Sequence, residues 1–267
     1  PREQLYEAAR LYATTRKAGI FYTLGITEHI CGTNNVKNLA NLGLLTGHIG
    51  FPSAGINPLR GQNNVQGACD MAALPSDFPG YQKVTDPEKL AFFEKLWGRK
   101  LSGKPGYKIP EMFDAAHEGT LKAMFVMGEN HVKKGFEAME FVAVQEIFMS
   151  ETAKFADVIF PATCYTEKEG TFTASERRVQ RVRKAVEPPG EARVDWQIVA
   201  SIAQAMGAKG FDWRTSEDVF EEMRAAMPTY RGMTYERLGT TGLQWPCPTV
   251  DHPGTLYLHK DTFSIGK

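Results

Sequence analysis

The sequence predicts an α/β fold in which mostly parallel sheets carry helices on both faces. Two observations point there. KAMFVMG (122–128), FVAVQEI (141–147) and DVIFPAT (157–163) are continuous apolar runs of strand length. Helical stretches separate them, one from His131 and one over SETAKFA (150–156), with Ser150 as its cap. Apolar runs alternating with helices make right-handed β-α-β units whose strands are buried on both sides.

The elements follow in order. Residues 1–18 read as an amphipathic helix: Pro1 suits a first turn, and Leu5, Ala8, Ala9, Tyr12 and Thr15 fall at helical spacing. Gly19 ends it, and GIFYTLGI (19–26) reads as a buried strand. Thr33 is placed to cap a second helix lined by Val36, Leu39, Ala40 and Leu44, with Gly43 on the same face. That helix stops near Gly47 and Gly50-Phe51-Pro52. Residues 50–84 are dense in Gly, Pro and Asn and have no sustained periodicity. A structureless stretch of that length is either functional or disordered. Ile56, Leu59, Val65, Met71, Phe78 and Tyr81 can tie it down, so it reads as an ordered, ligand-facing loop. Helices are expected at Pro87–Trp97, Ile109–Glu118, Val194–Met206 and Glu217–Met227, the last behind a Thr215-x-x-Asp218 box. TLYLHKDTFSIGK reads as strand-like, without a closing helix.

With 267 residues, 42% of them hydrophobic, the chain can build one large domain or two modest ones around a real core. Lys+Arg and Asp+Glu balance at 31 each, which argues against nucleic acid or an anionic membrane surface as the main partner. No apolar run approaches a membrane span, and the first residues carry no signal-peptide stretch. Cys31, Cys69, Cys164 and Cys247 are scattered without a C-x-x-C pair, offering neither an iron–sulfur nor a zinc site and fitting a reducing, cytoplasmic setting. His29, His48, His117, His131, His252 and His259 fall at no metal-ligand spacing, so no metal ligand is expected in this chain.

In open parallel sheets, ligands sit at the carboxyl ends of strands, beside helix N-termini. Three strand ends here are polar: Gly128-Glu129-Asn130, Gln145-Glu146 and Thr163. Gly128 lets a ligand approach the backbone. Asn130 and Gln145 can hydrogen-bond a base or ribose, and Ser150 can cap its helix and also reach a phosphate. Taken singly, each reads more simply as a turn glycine, a solvated polar residue or a plain N-cap; their joint position favours a site. No G-x-G-x-x-G is present, so an ordinary NAD fold is not indicated.

NPLRGQNNVQGACDMAALPSDFPGY (57–81), with GTNNVKNLANLGLLTGHIGFPSAG (32–55) before it, resembles formate dehydrogenase alpha subunits within the molybdopterin oxidoreductase family. VQEIFMSETAKFADVIFPATCYTEKEGTFTASERRVQRVRKAVEPPGEARVDWQIV (144–199) and YERLGTTGLQWPCP (235–248) resemble the same proteins, in the same order. The resemblance implies Rossmann-like αβα domains of the formate dehydrogenase/DMSO reductase type. Residues 1–62 would finish one, and 63–267 would form a second, interrupted at about 175–203 by a return to an iron–sulfur domain. It also implies a bis-molybdopterin guanine dinucleotide, Mo or W, and a [4Fe-4S] cluster, with metal and cluster ligands outside this chain. The activity implied is interconversion of formate and carbon dioxide, with electrons leaving to iron–sulfur or flavin subunits.

The same resemblance implies residue roles. Arg60 orients the formate carboxylate, and Gln62 lies near the pterin. Asn130, Gln145, Ser150 and Asp195 match positions at the guanosine and phosphates, with Gly128 and Glu129 beside them. Leu24 and Glu28 match positions near the cofactor on the preceding strand end. Asp195 could instead cap the helix that starts near Trp196, and Arg60 could brace its loop through a salt bridge. Cys69, inside the signature, reads as a small buried thiol. Arg177, Arg178, Arg181, Arg183 and Lys184 read as a solvated face, or as a contact on the path from pterin to cluster. The resemblance makes the chain an internal fragment that would not turn over formate alone. His131-Val132-Lys133-Lys134 follows Asn130 at once, where a Pro-containing loop is implied. A missing loop, with no peptide link between Asn130 and His131, is expected rather than a deletion. Two rivals remain. One is a non-catalytic scaffold related to the large iron–sulfur subunit of NADH dehydrogenases, against which the intact R-G-Q-N-N run argues. The other is another pterin enzyme such as nitrate reductase.

Overall fold

The structure, a computed structural model, describes residues 1–130 and 133–263. Helix α1 (Arg2–Thr14) is shorter than the 1–18 expected, because Thr15 is already extended, and none of its residues is buried. The 19–26 stretch is not one buried strand. It divides into β1 (Gly19–Tyr22), exposed on alternate residues, and a single helical turn, α2 (Leu24–Thr27). Helix α3 (Gly32–Leu45) starts one residue before Thr33, so Thr33 does not cap it; Cys31 stands at the cap without a side-chain hydrogen bond. Strand β2 (Gly55–Pro58) runs parallel to β1, from Gly19 opposite Gly55 to Tyr22 opposite Pro58. Gly43 is what lets α3 close on this pair, since a Cβ there would lie 2.4 Å from Ile56 Cδ1.

The 50–84 stretch is ordered but not structureless. Besides β2 it holds α4 (Val65–Asp70) and a hairpin of β3 (Asp77–Phe78) and β4 (Gln82–Lys83). Pieces this short leave no period in the sequence. Helix α5 (Pro87–Trp97) matches its expected bounds: Asp86 Oδ1 accepts from the backbone N–H groups of Glu88 (2.9 Å) and Lys89 (3.3 Å), and Gly98 ends it in a left-handed conformation (φ 62°). Phe93 stacks on Phe78 (4.5 Å) within the larger core, which also holds Val179, Phe220, Met227 and Leu238.

Helix α6 (Ile109–His117), β5 (Ala123–Met127), α7 (Lys133–Phe136), β6 (Phe141–Glu146) and β7 (Val158–Pro161) follow, and the strands form a parallel sheet in the order β5-β6-β7. Val126, Val142 and Val144 point to one face, packed with Phe136, Ala153 and Phe113. SETAKFA supplies only a 3-10 turn, Ala153–Phe155. The junction after Asn130, where a missing loop is expected, involves His131 and Val132, which lie outside the described residues.

Strands β8 (Gly170–Thr173) and β9 (Arg178–Val182) then form an antiparallel pair. Helix α8 (Asp195–Ala205) lies over the second face of the β5–β7 sheet without closing on it: an apolar cavity of about 530 Å³ separates Phe125, Phe141 and Phe160 on the sheet from Val199, Ile202 and Ala203 on the helix. With Phe125 and Phe141 still exposed, these strands are not buried on both sides as expected. Helix α9 (Ser216–Ala226) begins with the expected box: Thr215 Oγ1 accepts from Asp218 N (3.2 Å), and Asp218 Oδ2 accepts from Thr215 N (2.9 Å). After α10 (Tyr235–Leu238), β10 (Leu243–Gln244) adds antiparallel to β9. This antiparallel sheet is absent from the sequence expectation, and the strand-like reading of the C-terminal run fails through Thr262, where only bends occur. Residues 175–203 hold β9 and most of α8. The basic run there is more than a solvated face. Arg177 lies over the Trp245 ring (5.4 Å) and donates to the Thr255 carbonyl (3.1 Å), Arg181 covers the Tyr235 ring (3.5 Å), and Arg183 donates to the Gly239 carbonyl (2.9 Å). Together they clamp β9 to the α10–β10 segment.

Candidate cofactor site

The carboxyl edge of the β5–β7 sheet gathers the first group of residues. Gly128, just past β5, is left-handed (φ 64°), and a Cβ on it would meet nothing within 4 Å. Its N–H donates to the Gln145 carbonyl (3.0 Å), which joins the ends of β5 and β6. Glu129 and Asn130 are exposed beyond it. Asn130 Oδ1 accepts from the backbone N–H (3.1 Å) and hydroxyl (3.2 Å) of buried Thr152, so its Nδ2 is the group left to donate outward. Ser150 Oγ accepts from Ala153 N (3.2 Å) and closes the 3-10 turn.

Gln145 is 1% exposed at the end of β6. Its Nε2 donates to Asp195 Oδ1 (2.7 Å), which fixes the amide orientation because a carboxylate can only accept. The other Asp195 oxygen takes Lys168 Nζ, and Lys168 also donates to the Thr163 carbonyl (3.0 Å). Asp195 is therefore not a plain helix cap; its carboxylate faces the sheet end. Two buried oxygens in this cluster, Gln145 Oε1 and Thr163 Oγ1, meet no hydrogen-bond partner among the described residues. Leaving such a group unpaired costs about 1–3 kcal/mol, so both atoms suit a ligand that brings donors.

The second group follows β1 and β2. Leu24 and Glu28 are exposed at either end of α2, and Arg60 and Gln62 are exposed just past β2, so all four lie at one end of that parallel pair. Leu59 N donates to the Tyr22 carbonyl (2.8 Å), carrying the pairing one residue on. Arg60 makes no ion pair among the described residues, which removes the salt-bridge brace. Its backbone N–H donates to Ser175 Oγ (3.0 Å), and its Nε donates to Gln66 Oε1 (3.4 Å). Among the described residues no hydrogen bond joins the first group to the second. A cavity of about 840 Å³ runs between their neighbourhoods, bordered by Asn63, Gly67, Met127, Lys168 and Asp195. That volume lies within the range of small-molecule and cofactor pockets.

Sequence reasoning missed the cluster under Arg60. Asp70, 1% exposed, accepts from Gln66 Nε2 (2.8 Å) and Tyr81 OH (2.9 Å) on one oxygen and from Tyr230 OH (2.6 Å) and Trp245 Nε1 (2.9 Å) on the other. Burial first, and then the adjacent Asp70, push both tyrosine hydroxyls well above their ordinary value, so both stay protonated donors. Only the i, i+4 spacing of Gln66 and Asp70 on α4 was visible in the sequence. Cys69, expected to be buried, is half-buried beside them. Among the described residues no group of three His, Cys, Asp or Glu side chains could hold a metal ion.

Residues 3–205 match the sequence profile of the molybdopterin oxidoreductases. The chain belongs to the molybdopterin oxidoreductase family. Membership implies a molybdopterin cofactor, and the strand-end chemistry fits one: an open glycine and an outward amide donor suit a phosphate-bearing group, and two unpaired buried oxygens suit donors on it. The chain is 48% identical to the F420-dependent formate dehydrogenase subunit alpha of Methanocaldococcus jannaschii, over 98% of its own length and 40% of that protein. It is 44% identical to formate dehydrogenase H of Escherichia coli, over 97% of its length and 38% of that protein. The chain thus spans about two fifths of the length of these relatives. Among solved structures, acetylene hydratase from Pelobacter acetylenicus matches with a TM-score of 0.63 at 17% identity, covering 89% of this chain and 36% of that one. That likeness is one of fold, and it places this molybdopterin oxidoreductase chain in the αβα architecture expected. No helix among the described residues is long and apolar enough to cross a membrane.

Proposed function

We propose that the intact protein is a formate dehydrogenase, oxidising formate to carbon dioxide or running the reverse, and that Arg60 holds the substrate. The observation that carries this reading is the state of Arg60: its guanidinium is tied at Nε, carries no carboxylate partner among the described residues, and is otherwise exposed at a strand end. A planar, permanently charged fork of this kind grips a carboxylate through two parallel hydrogen bonds. The formate dehydrogenase names of the relatives support the choice of carboxylate.

The cofactor in this reading is a bis-molybdopterin guanine dinucleotide with Mo or W, joined to a [4Fe-4S] cluster and to iron–sulfur or flavin subunits outside this chain. When bound, the metal centre accepts the two electrons released as formate becomes carbon dioxide and a proton. The chain's own residues bind and orient. Gln145, Asn130 and Ser150 would hold the nucleotide end of the cofactor beside Gly128 and Glu129, with Asn130 Nδ2 and the Ser150 hydroxyl as donors to its phosphates, and Asp195 would keep Gln145 in place. Leu24, Glu28 and Gln62 line the approach to the pterin. Residues 1–62 complete one Rossmann-like domain and 63–267 a second, interrupted near 175–203, in a cytoplasmic enzyme.

Arg60→Lys in the intact protein tests the reading. Lysine keeps the charge and one donor and loses the second arm of the fork, so kcat/KM for formate is expected to fall about 10–100-fold, the worth of one charge-assisted hydrogen bond, with pterin content unchanged. Unchanged formate kinetics would remove Arg60 from the site. Metal analysis finding neither Mo nor W would return the scaffold reading, and nitrate turnover without formate turnover would point to a different pterin enzyme.

A further inference from the structure

The Asp70 cluster sits directly behind Arg60, and no role for it follows from cofactor binding. All four of its partners are donors: an amide nitrogen, an indole nitrogen and two tyrosine hydroxyls. Asp70 is thus saturated as an acceptor, on a carboxylate that is 1% exposed. This arrangement decides which way the Gln66 amide faces. Its Nε2 is taken by Asp70 (2.8 Å) and by the Tyr81 hydroxyl (2.9 Å), which itself donates to Asp70, leaving Oε1 turned toward Arg60 Nε (3.4 Å). An arginine can meet a carboxylate side-on, through Nε and one terminal nitrogen, or end-on, through both terminal nitrogens. With Nε occupied by Gln66, the end-on edge is the one presented.

We propose that Asp70 is a positioning residue for Arg60. Acting through Gln66, it occupies the Nε edge of the guanidinium and commits it to an end-on grip of the substrate carboxylate. The inference rests on the reading that Arg60 holds formate. It adds a dependence of substrate affinity on a buried side chain that touches neither substrate nor cofactor.

The geometry gives a test with a built-in rescue. Asp70→Asn turns one of the two accepting oxygens into a donor; because the Trp245 indole can only donate, the remaining oxygen stays with it and the new NH2 faces the Gln66 amide. Gln66 is then driven to turn its own NH2 toward Arg60, donor against donor. In the intact protein, KM for formate is expected to rise about tenfold, the effect of one hydrogen bond to a charged group, while kcat and pterin content change little. Adding Gln66→Glu to Asp70→Asn supplies acceptors for both Arg60 Nε and the new Asn amide, and is expected to bring KM back to within about threefold of the parent. Gln66→Met, which keeps Asp70 and its ring donors, should raise KM as Asp70→Asn does, and decides the matter if that variant fails to accumulate. A parental KM in Asp70→Asn, or in Gln66→Met, while Arg60→Lys is impaired, overturns the coupling but leaves Arg60 as the substrate residue. A raised KM that the double variant does not restore also overturns it, because loss of packing would not be mended by a second polar change. Parental kinetics in Arg60→Lys as well would remove both readings together.

Discussion

Gln145 uses one half of a buried amide, donating to Asp195 while its oxygen meets no partner among the described residues. Replacing it with leucine removes the unpaired oxygen, worth about 1–3 kcal/mol, and also a hydrogen bond to a carboxylate of similar size. The two changes oppose each other in the cofactor-free protein. Gln145→Leu is therefore expected to leave its melting temperature near the parent's while the molybdopterin cofactor retained per protein falls, read from pterin fluorescence and bound phosphate after purification. Retained cofactor at the parental level would take Gln145 out of the site. Gln145 and Asn130 were legible because they end apolar runs, where a polar residue has a local reason to be noticed. Asp195 came from resemblance, and its carboxylate partners, Lys168 and Gln145, lie 27 and 50 residues away. The Asp70 cluster was illegible for the same reason in stronger form: Tyr230 and Trp245 stand 160 and 175 residues from Asp70, and nothing near either marks them as its donors.

At the scale of elements, helix starts carry the clearest local chemistry. Thr215 and Asp218 cap α9 reciprocally, and backbone hydrogen bonds from Arg214 and Thr215 hold the Asp218 carboxyl below its ordinary 3.8. A depressed folded value means that the stabilisation is present above 3.8 and is lost as pH falls through the folded value. Asp218→Ala is thus expected to melt below the parent at pH 7, with the gap narrowing as the pH drops below 3.8. A gap that stays constant across that range would show that the carboxylate charge is not what matters. Capped helices such as α5 and α9, and the apolar runs of β5, β6 and β7, were readable because each announces itself within a dozen residues. β2, α4, β3, β4 and β10 were not. Each spans six residues or fewer, too short for a period, and the four strands are made regular by their partners rather than by their own pattern.

Across the whole molecule, burial is uneven. Helix α1 has no buried residue and leaves Leu5 (74%) and Leu11 (68%) exposed, whereas Val144 of β6 is fully buried. Amide exchange tracks such differences, because elements with few buried contacts open at little cost. In the 267-residue chain, α1 amides are expected to exchange orders of magnitude faster than those of β6; equal protection would mean that α1 is packed. The Asp70 cluster has a consequence in time as well as in space. Trp245 follows Asp70 by 175 residues, which at roughly 5–20 residues per second takes about 10–35 s to synthesise. Until then the second oxygen of the aspartate lacks its last donor. The segment around Arg60 is therefore complete as sequence well before the ring that anchors Asp70 exists, and its final packing waits on that later residue.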